Sequence, residues 1–248
     1  MSTITGTTAV VTGTSRGFGR RIAVALSKAG ANVVGVARGR TELEELRTRL
    51  GEKFTPVVAD AADPLAAAQL VDSHRPGILV LNAGASPLMR PIHHHTWDTF
   101  SRNWEVDVQQ VFHWTRSALL RPLAPGSVVI AISSGAALGG SPMSGGYGGA
   151  KATIRFITAQ AADESARANL GIRFVSVLPR LTPATDLGAA GVAAYAQRQG
   201  VDVATFLEGF GPTLTLDEVG EAIVELAGDS AKDQGAYLLL PGGLRPIG

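Results

Sequence analysis

A short apolar run, Thr8-Ala-Val-Val-Thr12, leads directly into Gly13-Thr-Ser-Arg-Gly17-Phe-Gly19 and then into the apolar-periodic Ile22-Ala-Val-Ala-Leu26. Strand, glycine-spaced turn and helix in that order commit the chain to an early β-α unit. Gly13 permits the tight turn, while Gly17 and Gly19 let the backbone approach a ligand and let the helix pack closely. A helix start so arranged suits an anion such as a pyrophosphate. A second apolar strand begins about a dozen residues further on, at Asn32, as a β-α-β unit requires.

The alternation continues along the chain. Apolar strands are expected at Thr8 to Thr12, Asn32 to Ala37, Phe54 to Ala59, Gly77 to Leu81, Ser127 to Ser133, Arg173 to Leu178 and Ala236 to Leu240, with helical patterns between them. Such strands imply a parallel sheet covered on both faces, and right-handed crossovers make it doubly wound. Over 248 residues this reads as a single α/β domain, residues 1–248, without linker or internal repeat. Ligands of such sheets bind at the C-terminal ends of the strands, beside the point where strand order reverses.

Tyr147 and Lys151 sit four residues apart, after the strand that ends near Ser134. In a helix from about Gly146 they share one face. The ammonium then lies beside the phenol and favours its phenolate, and Ser134 can hold a substrate oxygen against it. The glycine-rich Gly135 to Gly149 is either a pliable wall beside Tyr147 or a plain surface loop.

Thr12-Gly13-x-x-x-Gly17-x-Gly19, Asn82-Ala83-Gly84 and the set Ser134, Tyr147 and Lys151, in this order and spacing, resemble the short-chain dehydrogenase/reductase family nearly end to end. The resemblance implies a nicotinamide cofactor, carbonyl and alcohol interconversion on a small molecule, and strand order 3-2-1-4-5-6-7. It also implies a homodimer or homotetramer, with helices Thr96 to Arg121 and Gly146 to Asn169 as the expected interface. The cofactor set so implied is Gly13, Ser15, Arg16, Gly17, Phe18, Gly19, Arg38, Asp60, Asn82, Ala83, Gly84, Tyr147, Lys151, Pro179 and Thr182.

Charge argues for NADP(H) over NAD(H). The second strand ends Val36-Ala37-Arg38-Gly39-Arg40, where an NAD enzyme would carry an acid for the ribose 2′-hydroxyl. Arg38 instead offers a guanidinium to a 2′-phosphate, and Arg16 can approach from the other side. Asp60 matches the family's adenine-contacting acid or else caps the helix begun at Asp63-Pro64. Asn82 either lines the cofactor site or ties neighbouring strands together, and both roles can coexist.

Two positions depart from the family pattern. Asp107 stands where a catalytic Asn is usual, and joins Ser134, Tyr147 and Lys151 in the expected catalytic set. Ionised beside Lys151, it would partly cancel the field acting on the phenol; Asn103, one turn earlier, is the alternative. The usual Pro-Gly after the sixth strand is Pro179-Arg180. Residues 181–212 are expected to form a substrate-binding lid, and do not reveal the substrate.

His93-His94-His95 does not make a metal site, because three consecutive side chains do not converge on one ion. Zero cysteines exclude disulfides and thiol catalysis, and a net charge of +1 gives no case for nucleic acid or an anionic membrane. Met1 to Thr8 lacks a signal peptide's charged-then-apolar order, and no run reaches the roughly 18 apolar residues of a membrane span, so a cytoplasmic protein is expected. Three readings stay open: an NADP-dependent reductase or dehydrogenase, a cofactor-sensing regulator with little turnover, and an epimerase or lyase using transient oxidation.

Overall fold

The computed structural model describes residues 4–230, 232 and 234–247. Its centre is an eight-stranded sheet of order β3-β2-β1-β4-β5-β6-β7-β8. The strands are β1 (Thr8–Thr12), β2 (Asn32–Ala37), β3 (Phe54–Val58), β4 (Ile78–Leu81), β5 (Val128–Ile132), β6 (Arg173–Pro179), β7 (Ala236–Leu240) and β8 (Gly243–Pro246). The first seven are parallel in the expected order. The eighth is new: it turns back through Pro241-Gly242 and pairs antiparallel with β7, Leu240 opposite Gly243. Its Gly-Leu-Arg-Pro sequence has no apolar run to announce a strand, and a closing proline suits only an edge.

Between strands lie α1 (Gly17–Lys28), α2 (Arg40–Leu50), α3 (Pro64–His74), α4 (Trp97–Asn103), α5 (Gln109–Leu120), α6 (Ala136–Gly139), α7 (Tyr147–Arg167), α8 (Asp186–Gln199), α9 (Val203–Phe210) and α10 (Leu216–Gly228). The helix expected from Thr96 to Arg121 is interrupted, because a π-helical turn, Trp104–Val108, separates α4 from α5. Residues 181–212, for which a lid is expected, hold α8 and α9.

Strand alternation explains the layers. Ala9 and Val11 of β1, Ile78 and Val80 of β4, and Val128 and Ile130 of β5 face Ile22 and Leu26 of α1, Leu43 and Leu46 of α2, and Ile223 of α10. The intervening Val10, Leu79, Leu81 and Val129 face Val71 of α3, Val111 and Trp114 of α5, and Ile154 of α7. Buried Trp114 keeps its indole N–H satisfied by donating to Ala61 O at 2.9 Å, as an interior polar group must be. Asp63, not Asp60, caps α3: its side chain accepts from Leu65 N at 2.9 Å with Pro64 following. Asp60 accepts from Ala62 N and so orders the preceding turn.

Candidate active site

At the C-terminal ends of β1, β4, β5 and β6 opens a cleft of about 960 Å³, lined by the glycine loop and by Ser134, Tyr147 and Lys151. Gly13 has φ of +74°, and a Cβ there would stand 2.8 Å from Asn82 Nδ2 and Ala83 Cα. Only glycine allows this approach. A Cβ on Gly19 would run into the carbonyl of Gly13, so the start of α1 packs directly on the turn.

A buried polar network ties this loop to β4 and α5. Thr12 Oγ1 accepts from the backbone N–H groups of Asn82 (2.9 Å) and Ala83 (3.1 Å), and donates to Gln110 Oε1 (2.8 Å). Gln110 Nε2 donates to Ala83 O at 2.6 Å, and Asn82 Nδ2 donates to Thr12 O at 3.0 Å. Asn82 therefore does tie strand ends together, and it also lines the cleft. Gln110 was not singled out by its sequence. Its partners lie far away in the chain, so nothing local marks it.

The Ser133 hydroxyl donates to Lys151 O at 2.7 Å, which docks the first turn of α7 on the end of β5. Ser134 Oγ accepts from Ala136 N at 3.2 Å, leaving its O–H available to the cleft. Lys151 Nζ lies 5.5 Å from the centre of the Tyr147 ring, donates to Ile132 O at 3.2 Å and sits 3.1 Å from Asp107 Oδ2. Ser144 also lines the cleft, and its buried hydroxyl has no partner among the described residues.

Asp107 is 1 % exposed and enters the site through the π turn. Its Oδ1 accepts from Ala85 N at 2.7 Å. Asn103 does not replace it; its amide donates to Ala85 O at 2.8 Å and to Asp107 Oδ1 at 3.4 Å, bracing the carboxylate. Burial pushes the Lys151 ammonium towards neutrality, but the charge of Asp107, then Tyr147, then the hydrogen bond to Asp107 outweigh it. The net shift is upward from the ordinary lysine value.

The cleft's other end has features that fit a dinucleotide. The N-terminus of α1 has neither a side-chain cap nor an acid in its first turn, so its N–H groups remain available to an anion. Arg16, Arg38 and Asp60 line this end, with Ser15, Gly17 and Phe18 of the loop and Ala83 and Gly84 after β4. Arg38 is exposed and has no ion pair among the described residues. Arg16 also meets Asp186 Oδ2 of α8 at 3.4 Å, with both side chains mostly exposed. Pro179, Arg180 and Thr182 form the wall after β6. The side chain of Thr182 donates to Leu214 O at 2.5 Å, which ties the chain before α8 to the chain before α10.

The histidine run is divided between two sets of contacts. His95 makes ring-nitrogen hydrogen bonds with Thr99 Oγ1 and Arg90 O, both at 3.2 Å, while His93 and His94 contact each other. Among the described residues no cluster of His, Cys, Asp and Glu could hold a metal, and no helix is long and apolar enough to cross a membrane.

Comparison with known proteins gives the same picture. An uncharacterised oxidoreductase of Methylorubrum extorquens is 31% identical over 99% of this chain and 100% of its own length. A cis-4-hydroxycyclohexanecarboxylate dehydrogenase of Sinomonas cyclohexanicum is 32% identical over 96% of each chain. The D-erythrulose reductase of Gallus gallus is 33% identical over 50% of this chain, and the chain spans only about half (51%) of that relative. Among solved structures, a 3-ketoacyl-(acyl-carrier-protein) reductase from Brucella melitensis complexed with NADH superposes with TM-score 0.77 at 23% identity, covering 94% of this chain and 96% of its own. A metagenomic short-chain oxidoreductase in complex with NADP gives 0.73 at 22%, covering 99% and 100%. The family model for short chain dehydrogenase matches residues 7–195, from β1 and the glycine loop through the Tyr147 and Lys151 helix into α8. By its sheet, its full-length relatives and this match, the chain belongs to the short-chain dehydrogenase/reductase family.

Proposed function

We propose that this chain is an oxidoreductase that interconverts a small-molecule carbonyl and its alcohol with NADP(H) in preference to NAD(H). The observation that carries the reading is that Ser134, Tyr147 and Lys151 line the same cleft as the uncapped start of α1. When bound, the nicotinamide supplies or accepts the hydride. Ser134 donates its free O–H to the substrate oxygen. Tyr147 gives that oxygen a proton on reduction and takes one back on oxidation. Lys151, kept charged by Asp107 against its burial, acts on the neighbouring phenol and holds the nicotinamide ribose.

Two features support the choice of cofactor. Arg38 lines the end of the cleft next to β2 without an ion pair among the described residues, and residues 38–40 carry no acid; the Glu42 carboxylate lies against Gly39 but is not part of the cleft lining. The Arg16 and Asp186 pair is exposed, so it opposes a phosphate only weakly. Exposed Phe112 and Leu120 on α5 and Phe156 on α7 support a homodimer or homotetramer, which light scattering would read as a multiple of the 25.6 kDa chain.

One contact favours a second reading. Lys151 is held by Asp107 at 3.1 Å, which diverts the ammonium from Tyr147 as a cofactor sensor with little turnover would tolerate. Steady-state oxidation of NADPH and NADH against a panel of aldehydes and ketones separates the two. The enzyme reading expects turnover with NADPH preferred. Silence across the panel favours the sensor, and equal affinity for the two cofactors overturns the NADP assignment.

A further inference from the structure

Arg180 stands across the sheet from the end of β5, where Gly135 N donates to Pro179 O at 2.9 Å. Its own N–H donates to Leu239 O at 3.0 Å, and one terminal amino group donates to Phe210 O at 2.8 Å. The guanidinium carbon lies 4.1 Å from the centre of the Phe210 ring. Held at base and tip, the cation is spread over an aromatic face. That face continues as a stack, Phe210 to Phe206 at 5.8 Å and Phe206 to Tyr195 at 6.3 Å between centroids, and the Tyr195 hydroxyl meets Ser141. All three rings and Arg180 line the cleft.

The cleft's charges leave Arg180 without an acidic partner. Lys151 meets Asp107, Arg16 meets Asp186, Arg38 lies at the β2 end, and Asp60 accepts from Ala62 N without meeting Arg180. Among the described residues no carboxylate pairs with Arg180, whose five N–H donors have only the one acceptor on Phe210. A half-buried guanidinium fork beside apolar rings is matched by a carboxylate, which accepts two parallel hydrogen bonds and supplies the missing charge.

We propose that Arg180 is the substrate's anion-binding residue, so that the cleft selects keto acids (or the matching hydroxy acids) whose carboxylate meets this guanidinium and whose flat apolar body lies along Tyr195, Phe206 and Phe210. The reaction named here rests on the oxidoreductase reading; the recognition can be tested without it. With NADPH, the reduction of 4-oxo-4-phenylbutanoate is compared with that of its methyl ester. The acid should exceed the ester by about tenfold to a hundredfold in kcat/KM. Arg180→Met should bring the ratio close to one, and Arg180→Lys should restore part of it, because lysine keeps the charge but not the fork. An ester reduced as well as the acid, or a ratio retained in folded Arg180→Met, overturns the proposal. In parallel, calorimetric titration with unreactive 4-phenylbutanoate and its methyl ester reads recognition alone. Selective binding of the acid that Arg180→Met abolishes supports Arg180 even if no carbonyl consumes NADPH, an outcome that would remove only the oxidoreductase reading. If neither ester nor acid is turned over and neither binds selectively, the Arg180 assignment fails.

Discussion

The wall made by β1, β4, β5 and α7 and the wall made by α8 and α9 face one cleft, yet different forces hold them. On the first wall, Thr12, Asn82, Gln110, Lys151 and Asp107 satisfy one another in the interior. On the second, α8 buries Val192, Ala194 and Ala196 and carries the exposed pair of Asp186 with Arg16, whereas α9 buries no residue fully and is attached by ring stacks and the Arg180 contact. A buried ion pair is strongly coupled, and removing one member strands the other. An exposed pair is screened and contributes little. The first wall is therefore expected to stay fixed while the second adapts to what it binds, and local opening should begin at α9.

The contrast can be broken in order of expected effect. Tyr147→Phe keeps the ring and removes the acid, so kcat/KM on the best carbonyl should fall by about 10²- to 10⁴-fold while NADPH binding by titration stays nearly intact. Near-normal turnover would take Tyr147 out of the proposed chemistry. Next comes the buried pair: Asp107→Ala should lower unfolding free energy by about 3–5 kcal/mol, measured by urea denaturation at neutral pH, with Asp107→Asn losing less. Because the Lys151 value is raised above the ordinary 10.5, the stabilisation is fully present below 10.5 and is lost as pH rises through the higher folded value. The stability gap between the chain and Asp107→Asn should thus narrow at strongly alkaline pH, and a gap that widened there would contradict the pairing. In catalysis, the same substitution removes a negative charge from beside Lys151 and Tyr147, so over the pH range in which Lys151 keeps its proton the alkaline limb of alcohol oxidation should move to lower pH.

Smaller effects belong to the cofactor mouth and the lid. Arg38→Asp should weaken NADPH by roughly tenfold to a hundredfold and NADH far less, as fluorescence titration would show. Equal losses would point to a structural role for Arg38. Asp186→Asn should change Tm by less than about 2 °C. A larger drop would mean that the exposed pair holds the lid after all, and would erase the distinction between the walls.

What could be read ahead of the structure follows the range of each interaction. Strand identity, the glycine turn and the pairing of Tyr147 with Lys151 depend on neighbours within a few residues, and the structure retains them, with strand ends shifted by a residue or so. Asp107 beside Lys151 was readable because a family position placed it there. The Arg180 contact was not, since Phe210 lies thirty residues away across a lid of unpatterned sequence. Nor was the turn of Arg16 towards Asp186, 170 positions distant. The eighth strand escaped because Gly243 and Pro246 carry no β signal, and its pairing comes from β7 alone.

The π turn at Trp104–Val108 carries a consequence for the length of the chain rather than for its composition. Each helical residue advances the backbone by about 100°, and a π turn takes up about one residue more than an α turn. The surplus residue sets the phase between Asn103, which must find Ala85, and Gln110, which must find Ala83. Substitutions on the outer side of this turn leave that phase alone. The loss of a single position within it would swing one of the two amides away from its carbonyl, so this stretch can vary in its letters but not in their number.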